Sequence, residues 1–280
     1  MNYNQMALEM HEKHHGKIEV TSKVKVENRD DLSTAYTPGV AEPCRKIAQN
    51  KEDVYKYTSK GNMVAVVTDG TAVLGLGDIG PEAGLPVMEG KCVLFKEFAN
   101  VDAFPICLDT KDVDEIVETV ARISPSFGGI NLEDIAAPRC FEVEEKLKKR
   151  INIPVFHDDQ HGTAIVVLAA VINALKVVHK NIDEVKVVIS GAGSAGSAIG
   201  KLLMQYGVKH LLYSDRNGIL NEETALNDAQ RKLAKETNPE NKSGTLKDAL
   251  AHADVFIGVS APGLVSPEMI KSMNRDACVF

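Results

Sequence analysis

Two histidines and two aspartates lie within one short stretch, FHDDQHGTA, and each pair predicts a different metal chemistry. His157 and His161 have the four-residue spacing that places two zinc ligands on one face of a helix. Asp158 and Asp159 instead offer the oxygen ligands that Mg²⁺ and Mn²⁺ prefer. The apolar IPVF before His157 favours a strand, and we expect the next helix to begin only around residues 161–163. The histidines then fall on either side of a strand-to-helix junction, which favours the aspartates as ligands.

A second pair of acids follows another predicted strand, GGINLED. Glu133 and Asp134 end this strand, as Asp158 and Asp159 end the next one. In open α/β sheets ligands bind outside the carboxyl ends of the strands, so four carboxyl groups can converge there. Such a cluster needs a cation to offset its repulsion. The alternative is that both pairs stabilise helix N-termini, and the residues alone leave it open.

A glycine-rich loop, VVISGAGSAGSAIG, lies between a predicted strand and a predicted helix. This context is typical of a dinucleotide site, where the pyrophosphate approaches a helix N-terminus. The loop residues expected to contact it are Gly191, Gly193, Ser194, Ala195 and Gly196. Asp215 closes the next strand, where an acid binds the adenosine ribose. Arg216 follows it and is suited to a 2′-phosphate, so the choice between NAD and NADP stays open.

The elements that must position these residues alternate between short β-rich runs and amphipathic helices from Met63 onward. This alternation predicts an α/β fold with parallel, doubly wound sheets. We expect a substrate and metal domain over residues 1–160, with an irregular first 40 residues. A Rossmann-type dinucleotide-binding domain is expected over residues 161–280. Because ACVF resembles a strand cut off at its start, we expect the second domain to be incomplete.

Composition narrows the class of protein further. The 280 residues are 44% apolar and carry a net charge of −7, with no basic block. This argues against nucleic acid and against an anionic membrane surface as partners. The five cysteines are scattered and lack metal-site spacing. We therefore expect reduced thiols and a cytoplasmic location.

Six motifs occur in fixed order over residues 36–200: YTPGVAEPC, VVTDGTAVLGLGDIG, GLPVMEGKCVLF, GINLEDIAAP, FHDDQHGTA and GAGSAGSAIG. Together they resemble the malic enzymes, in particular the short prokaryotic type. The resemblance implies oxidative decarboxylation of L-malate to pyruvate and CO₂, with reduction of NAD⁺ or NADP⁺ and with Mg²⁺ or Mn²⁺. It also implies a homodimer.

The resemblance assigns roles to individual residues. It makes Lys91 the general base for the C2 hydroxyl of malate and Tyr36 the acid that protonates enolpyruvate. The metal ligands that it implies are Glu133, Asp134 and Asp159, with Asp158 beside them in the catalytic network. Larger members carry a substrate-binding arginine where this chain has Ala72.

Two other functions fit the same motifs. A relative that converts malate to lactate, or that decarboxylates oxaloacetate, would use the same carboxylates and glycine loop without net release of NADH. A catalytically silent dinucleotide-binding protein is the third possibility, although it has no physical need for Tyr36, Lys91 and the full carboxylate set.

Overall fold

The computed structural model describes residues 2–73 and 75–280. The chain divides into two compact units. The first contains the residues up to Ile135 together with Val143–Phe156, and the second contains Ala136–Glu142 together with His157–Phe280. Each unit is built around its own β-sheet.

The N-terminal segment contains several helices, so the prediction of an irregular first 40 residues was wrong for Tyr3–His14 and Arg29–Ala35, whereas residues 15–28 are irregular. Its helices are α1 (Tyr3–His14), α2 (Arg29–Ala35), α3 (Ala41–Gln49) and α4 (Val54–Tyr57), with 3₁₀ turns at Lys51–Asp53 and Ser59–Asn62. The side chains of Asn2 and Asn28 accept hydrogen bonds from backbone N–H groups in the first turns of α1 and α2. Such N-caps satisfy donors that the helix cannot satisfy itself, and they start helices whose hydrophobic pattern is weak.

The sheet of the first unit has four strands in the order β2-β1-β3-β4, and β1 pairs in parallel with both β2 and β3. The strands are β1 (Met63–Thr68), β2 (Asp102–Cys107), β3 (Gly129–Leu132) and β4 (Val155–His157). The helices between them are α5 (Pro81–Ala99), α6 (Val113–Ile123) and α7 (Arg139–Arg150), and a 3₁₀ turn covers Ser124–Ser126. The β3 strand is buried along its whole length, as expected for a parallel strand covered on both faces.

The second unit has five strands in the order β7-β6-β5-β8-β9. Its elements are α8 (Asp158–Val177), β5 (Lys186–Ser190), α9 (Ser194–Tyr206), β6 (His210–Asp215), β7 (Gly218–Ile219), α10 (Asp228–Thr237), α11 (Leu246–Leu250), β8 (Val255–Gly258), α12 (Pro267–Lys271) and β9 (Cys278–Val279). The pairings β5–β6, β5–β8 and β8–β9 are parallel, and β7 pairs with β6 in the antiparallel sense. This is the predicted Rossmann-type arrangement.

Helices α8 and α9 pack together in the main core of the second unit. Val171 and Leu175 of α8, Ile199 and Leu203 of α9 and Tyr213 of β6 are buried there. Among the described residues, α8 is the helix whose length and apolar composition match those of a membrane-crossing segment. One side of α8 packs against α9, and 22% of its most apolar stretch is buried. The predicted two-domain α/β fold class is confirmed.

Candidate active site

Helix α5 presents Lys91 and is fixed to the end of strand β1 by close backbone contacts. The N–H groups of Ile79 and Gly80 both donate to the carbonyl oxygen of Gly70, at 3.1 and 3.2 Å. Gly70 has a φ of 70°, and a Cβ there would overlap the Gly80 backbone. Glycine is needed because no side chain fits this approach. The start of α5 is thereby tied to the carboxyl end of β1.

Lys91 and Glu133 form an ion pair at the carboxyl end of the first sheet. Lys91 Nζ lies 3.2 Å from Glu133 Oε1, and the side chains are 21% and 6% exposed. The amide of Asn131 donates to Glu133 Oε2 at 2.8 Å. Both oxygens of this buried carboxylate therefore have a positively polarised partner, which stabilises its charged form. The predicted base and a predicted metal ligand are thus in direct contact.

Asp134 is buried beside Glu133 and holds the loop after β1. Its φ is 53°, in the left-handed region that aspartate tolerates better than most residues. Its carbonyl oxygen accepts a hydrogen bond from the N–H of Ala72 at 2.9 Å. Ala72 contributes no charge here, so the substrate carboxylate that the resemblance implies needs another cation.

Asp69 is a further buried carboxylate at this edge that the sequence analysis did not select. It is 1% exposed and directly follows β1. Its Oδ1 accepts from the N–H of Thr71 at 3.1 Å and from the Thr71 hydroxyl at 2.5 Å. Val67 of β1 pairs with Leu132 of β3, so Asp69, which follows β1, lies at the same edge of the sheet as Glu133, which follows β3. The acid in VTDGT, directly after a strand, was the available signal.

Tyr36 lies at the end of α2, and its side chain is 67% exposed. The described contacts of its backbone are its N–H to the Leu32 carbonyl and its own carbonyl to the N–H of Val40. The proton-donor role of Tyr36 stays a prediction.

Helix α8 begins at Asp158, so the predicted start at residues 161–163 was wrong. Asp158 and Asp159 occupy its first turn, where carboxylates interact favourably with the helix dipole. His157 ends β4 and His161 lies inside α8. The two histidines therefore fall on either side of the junction, as predicted. The acids at Glu133 and Asp134 differ from this pair, because the next helix starts only at Arg139.

In the glycine loop of the second unit, two glycines make close backbone contacts and the third faces open space. The N–H of Gly191 donates to the Ser214 carbonyl at 2.8 Å, which joins the loop to β6. A Cβ at Gly196 would overlap the Gly191 carbonyl oxygen, whereas one at Gly193 would meet no heavy atom within 4 Å. Open space over Gly193 at the N-terminus of α9 is what a pyrophosphate requires.

Asp215 lies at the end of β6 with both carboxylate oxygens hydrogen-bonded. Oδ1 accepts from the N–H of Arg216 and Oδ2 from the side-chain amide of Gln230, each at 2.8 Å. Arg216 is exposed in the turn between β6 and β7. The sequence analysis did not select Gln230, which comes from α10 and has no motif of its own.

A cavity of about 400 Å³ lies at the carboxyl ends of β5 and β8. Its lining includes Ser190 and the loop from Gly258 to Val265. The hydroxyls of Ser190 and Ser260 are 2.9 Å apart. The sequence analysis did not predict this cavity, although GVSAPG directly follows a predicted strand. It lies at the strand end where α/β sheets bind their ligands.

The fold and these residues define a two-unit α/β protein with a dinucleotide-binding unit. Two family descriptions match the chain: "Malic enzyme, N-terminal domain" over residues 15–148 and "Malic enzyme, NAD binding domain" over residues 160–278. The chain belongs to the malic enzyme family.

Three malic enzymes from named organisms match between 95% and 100% of the chain. The bifunctional malic/malolactic enzyme of Bacillus subtilis is 59% identical over 100% of this chain and 69% of its own length. The NAD-dependent malic enzyme of Geobacillus stearothermophilus is 59% identical over 95% of this chain and 56% of its own length. The crystal structure of NAD-dependent malic enzyme from Thermotoga maritima superposes with a TM-score of 0.95 at 54% identity, covering 98% of this chain and 74% of that one. This chain thus spans between 56% and 74% of the length of these three proteins.

Proposed function

We propose that the protein oxidatively decarboxylates L-malate to pyruvate and CO₂ and transfers the hydride to NAD⁺ or NADP⁺, with Mg²⁺ or Mn²⁺ as the metal. The observation that carries this proposal is the pairing of Lys91 with the buried carboxylate of Glu133 at the carboxyl end of a parallel sheet. The names of the relatives support the same reaction.

The proposed metal ligands are Glu133, Asp134 and Asp159. Glu133 and Asp134 are buried and Asp159 is partly exposed, and all three offer oxygen donors. Glu133 follows β3 and Asp159 follows β4, which are neighbours in the first sheet. Carboxylate oxygens in this number are the ligands that a hard divalent cation prefers. Asp158 is proposed to support this network from the first turn of α8.

In the proposed reaction, Lys91 first releases to solvent the extra proton of its ion pair with Glu133, and its Nζ then takes up the proton of the C2 hydroxyl as C2 loses its hydride. The bond between C3 and the departing carboxylate then breaks, and its electron pair stays on the remaining fragment, which leaves CO₂ and the enolate of pyruvate. Tyr36 donates its hydroxyl proton to C3, which yields pyruvate. When bound, the dinucleotide accepts the hydride and the cation supplies positive charge to the C2 oxygen. The side chain of Lys91 is four-fifths buried, and exclusion of water strengthens its interactions with substrate charge.

The dinucleotide is proposed to lie along the glycine loop, with its pyrophosphate over Gly193 and its adenosine ribose at Asp215. The open space at Gly193 and the position of Asp215 one strand away support this placement. The cavity beside Ser190 and Ser260 is suited to the next part of the cofactor.

A second candidate reaction is the conversion of malate to lactate without net release of NADH. It is favoured by the similarity to the bifunctional malic/malolactic enzyme of Bacillus subtilis. An assay with malate, NAD⁺ and Mn²⁺ separates the two. Malate-dependent absorbance at 340 nm with pyruvate as product supports the main proposal, and lactate without NADH supports the second.

We also propose that the protein is a homodimer in which the N-terminal helices contact the second copy. Apolar side chains of this segment are exposed: Tyr3, Met6, Leu8, Met10, Val20, Val24, Val26 and Leu32. Exposed apolar surface of this extent is typical of a protein interface. Sedimentation equilibrium tests the proposal, since a monomer at micromolar concentration would contradict it.

A further inference from the structure

The carboxylate of Asp215 is held in a fixed orientation by the protein. Oδ2 accepts a hydrogen bond of 2.8 Å from Gln230 Nε2, and Oδ1 accepts one of 2.8 Å from the backbone N–H of Arg216. The preceding residue, Ser214, accepts a hydrogen bond from Gly191 in the glycine loop. Asp215 is therefore fixed with respect to the loop over which the dinucleotide is proposed to lie.

Gln230 is itself fixed by its neighbours in the loop before α10. It is 6% exposed, and its Oε1 accepts from the backbone N–H of Leu226 at 2.8 Å. Its own N–H donates to the side chain of Asn227, the N-cap of α10, at 2.9 Å. Because the Leu226 N–H can only donate, it must face Oε1, which leaves Nε2 to donate to Asp215. The hydrogen-bond pattern thus gives this amide one orientation.

A carboxylate held in this way distinguishes an adenosine ribose with free hydroxyls from one that carries a 2′-phosphate. An ionised carboxylate only accepts hydrogen bonds, and each oxygen retains a lone pair for the hydroxyl donors of an unmodified ribose. A 2′-phosphate supplies no such donor and adds negative charge beside the carboxylate. An unrestrained Asp215 could turn away from the phosphate and allow the exposed Arg216 to bind it. The hydrogen bond from Gln230 opposes that rotation.

We propose that Gln230 is a positioning residue that makes this site selective for NAD⁺ over NADP⁺ by holding the Asp215 carboxylate toward the ribose. The inference rests on the proposed function, because it requires that the second unit binds a dinucleotide. It assigns selectivity to a helix outside the glycine motif.

The test is direct binding of NADH and NADPH, followed by nicotinamide fluorescence, to the wild-type chain and to variants. Gln230→Met keeps the length and packing of the side chain but removes both of its hydrogen bonds. Gln230→Ala is the second variant, and Arg231→Ala is the matched control, since Arg231 is exposed on the same helix and pairs with Asp228. Thermal unfolding establishes that each variant is folded.

We expect the wild-type chain to bind NADH more tightly than NADPH by about tenfold or more. Gln230→Met should lower the ratio of the NADPH dissociation constant to the NADH dissociation constant by roughly tenfold. Arg231→Ala should leave this ratio unchanged. Because repulsion from a phosphate is screened by salt, the wild-type ratio should also fall as ionic strength rises. If Gln230 had a merely structural role, its replacement would weaken the binding of NADH and NADPH equally.

Two outcomes overturn the inference alone: tighter binding of NADPH by the wild-type chain, or an unchanged ratio in a folded Gln230→Met variant that still binds both ligands. If the folded wild-type chain binds neither dinucleotide, the proposed function fails, and the inference fails with it.

Discussion

The ammonium group of Lys91 lies 3.2 Å from Oε1 of Glu133. Lys91 is presented by α5, whose Met88 and Cys92 pack against Val66 of β1, and Glu133 follows the buried strand β3. The proposed base and a proposed metal ligand, 42 positions apart in the sequence, are therefore brought together by a helix and a strand of the first unit. This contact is central to the proposed chemistry, because it places Lys91, the proposed proton acceptor, beside Glu133, a proposed ligand of the cation.

Replacement of Lys91 by alanine should abolish most turnover and leave dinucleotide binding intact. Removal of a general base typically costs between about 10²- and 10⁴-fold in kcat. Lys96→Ala is the matched control, because Lys96 lies on the same helix but is 53% exposed and pairs with Asp102. Steady-state kinetics with malate and NADH binding by fluorescence give the two readouts. Normal turnover by the Lys91 variant would show that another group is the base.

Replacement of Glu133 by glutamine should weaken Mn²⁺ binding roughly tenfold or more, because a charged ligand is lost. The glutamine oxygen can still accept the hydrogen bond from Asn131, so the variant should fold. Glu145→Gln is the control, since Glu145 is 70% exposed on α7. The electron paramagnetic resonance signal of unbound Mn²⁺ measures the affinity. Equal affinities of wild type and Glu133→Gln would exclude this carboxylate from the metal site.

Two alanine substitutions in the glycine loop should affect different properties, one the affinity for NADH and the other the stability of the fold. Gly193→Ala adds a methyl group in open space, so the melting temperature should stay near wild type while NADH affinity falls at least about tenfold. Gly196→Ala pushes against the Gly191 carbonyl and should lower stability by about 1–3 kcal/mol. Thermal unfolding and NADH titration distinguish the two. A Gly193 variant with unchanged affinity would place the pyrophosphate elsewhere.

The prediction of the fold from sequence succeeded where local pattern and burial agree. Parallel strands such as β1 and β5 are buried on both faces and therefore appear as apolar runs, and the amphipathic α6 has clear helical spacing. Helix α1 was missed because its start is set by the Asn2 cap and not by a hydrophobic face. The start of α8 was placed too late, since the acids of its first turn were assigned to the end of the preceding strand.

Only those residues of the candidate site that lie in a recognisable sequence motif were predicted from the sequence. Glu133 and Lys91 were identified by resemblance, and the structure adds that they are in contact. Gln230 and Asp69 were not found, because their importance depends on tertiary neighbours rather than on spacing in the sequence. The loop after β8 was missed for the same reason.

Acid should destabilise the second unit partly through Asp254. Burial opposes ionisation of this side chain, but hydrogen bonds from Lys180, the Lys186 N–H and Asn274, with the charge of Lys180, outweigh burial and keep its pKa below the usual 3.8. A carboxyl group with a depressed pKa stabilises the fold above its unfolded-state pKa. That stabilisation is lost as the pH falls through the lower pKa of the folded state.

Asp254→Asn should therefore lower the free energy of unfolding by about 1–3 kcal/mol at neutral pH, and the difference from wild type should shrink below pH 4. Urea unfolding at a series of pH values measures it. Asp183→Asn is the control, since Asp183 forms an exposed pair with Lys209, and it should change stability much less. A pH-independent difference for Asp254→Asn would mean that its charge is not what stabilises the fold.

The most direct test of the proposed reaction is malate-dependent reduction of NAD⁺ and NADP⁺ by the protein, with and without Mn²⁺, followed at 340 nm. The proposed reaction should give NADH and pyruvate in equal amounts, depend on the cation, and lose both products in Lys91→Ala. Absence of malate-dependent reduction with either dinucleotide in the presence of Mn²⁺ would contradict it.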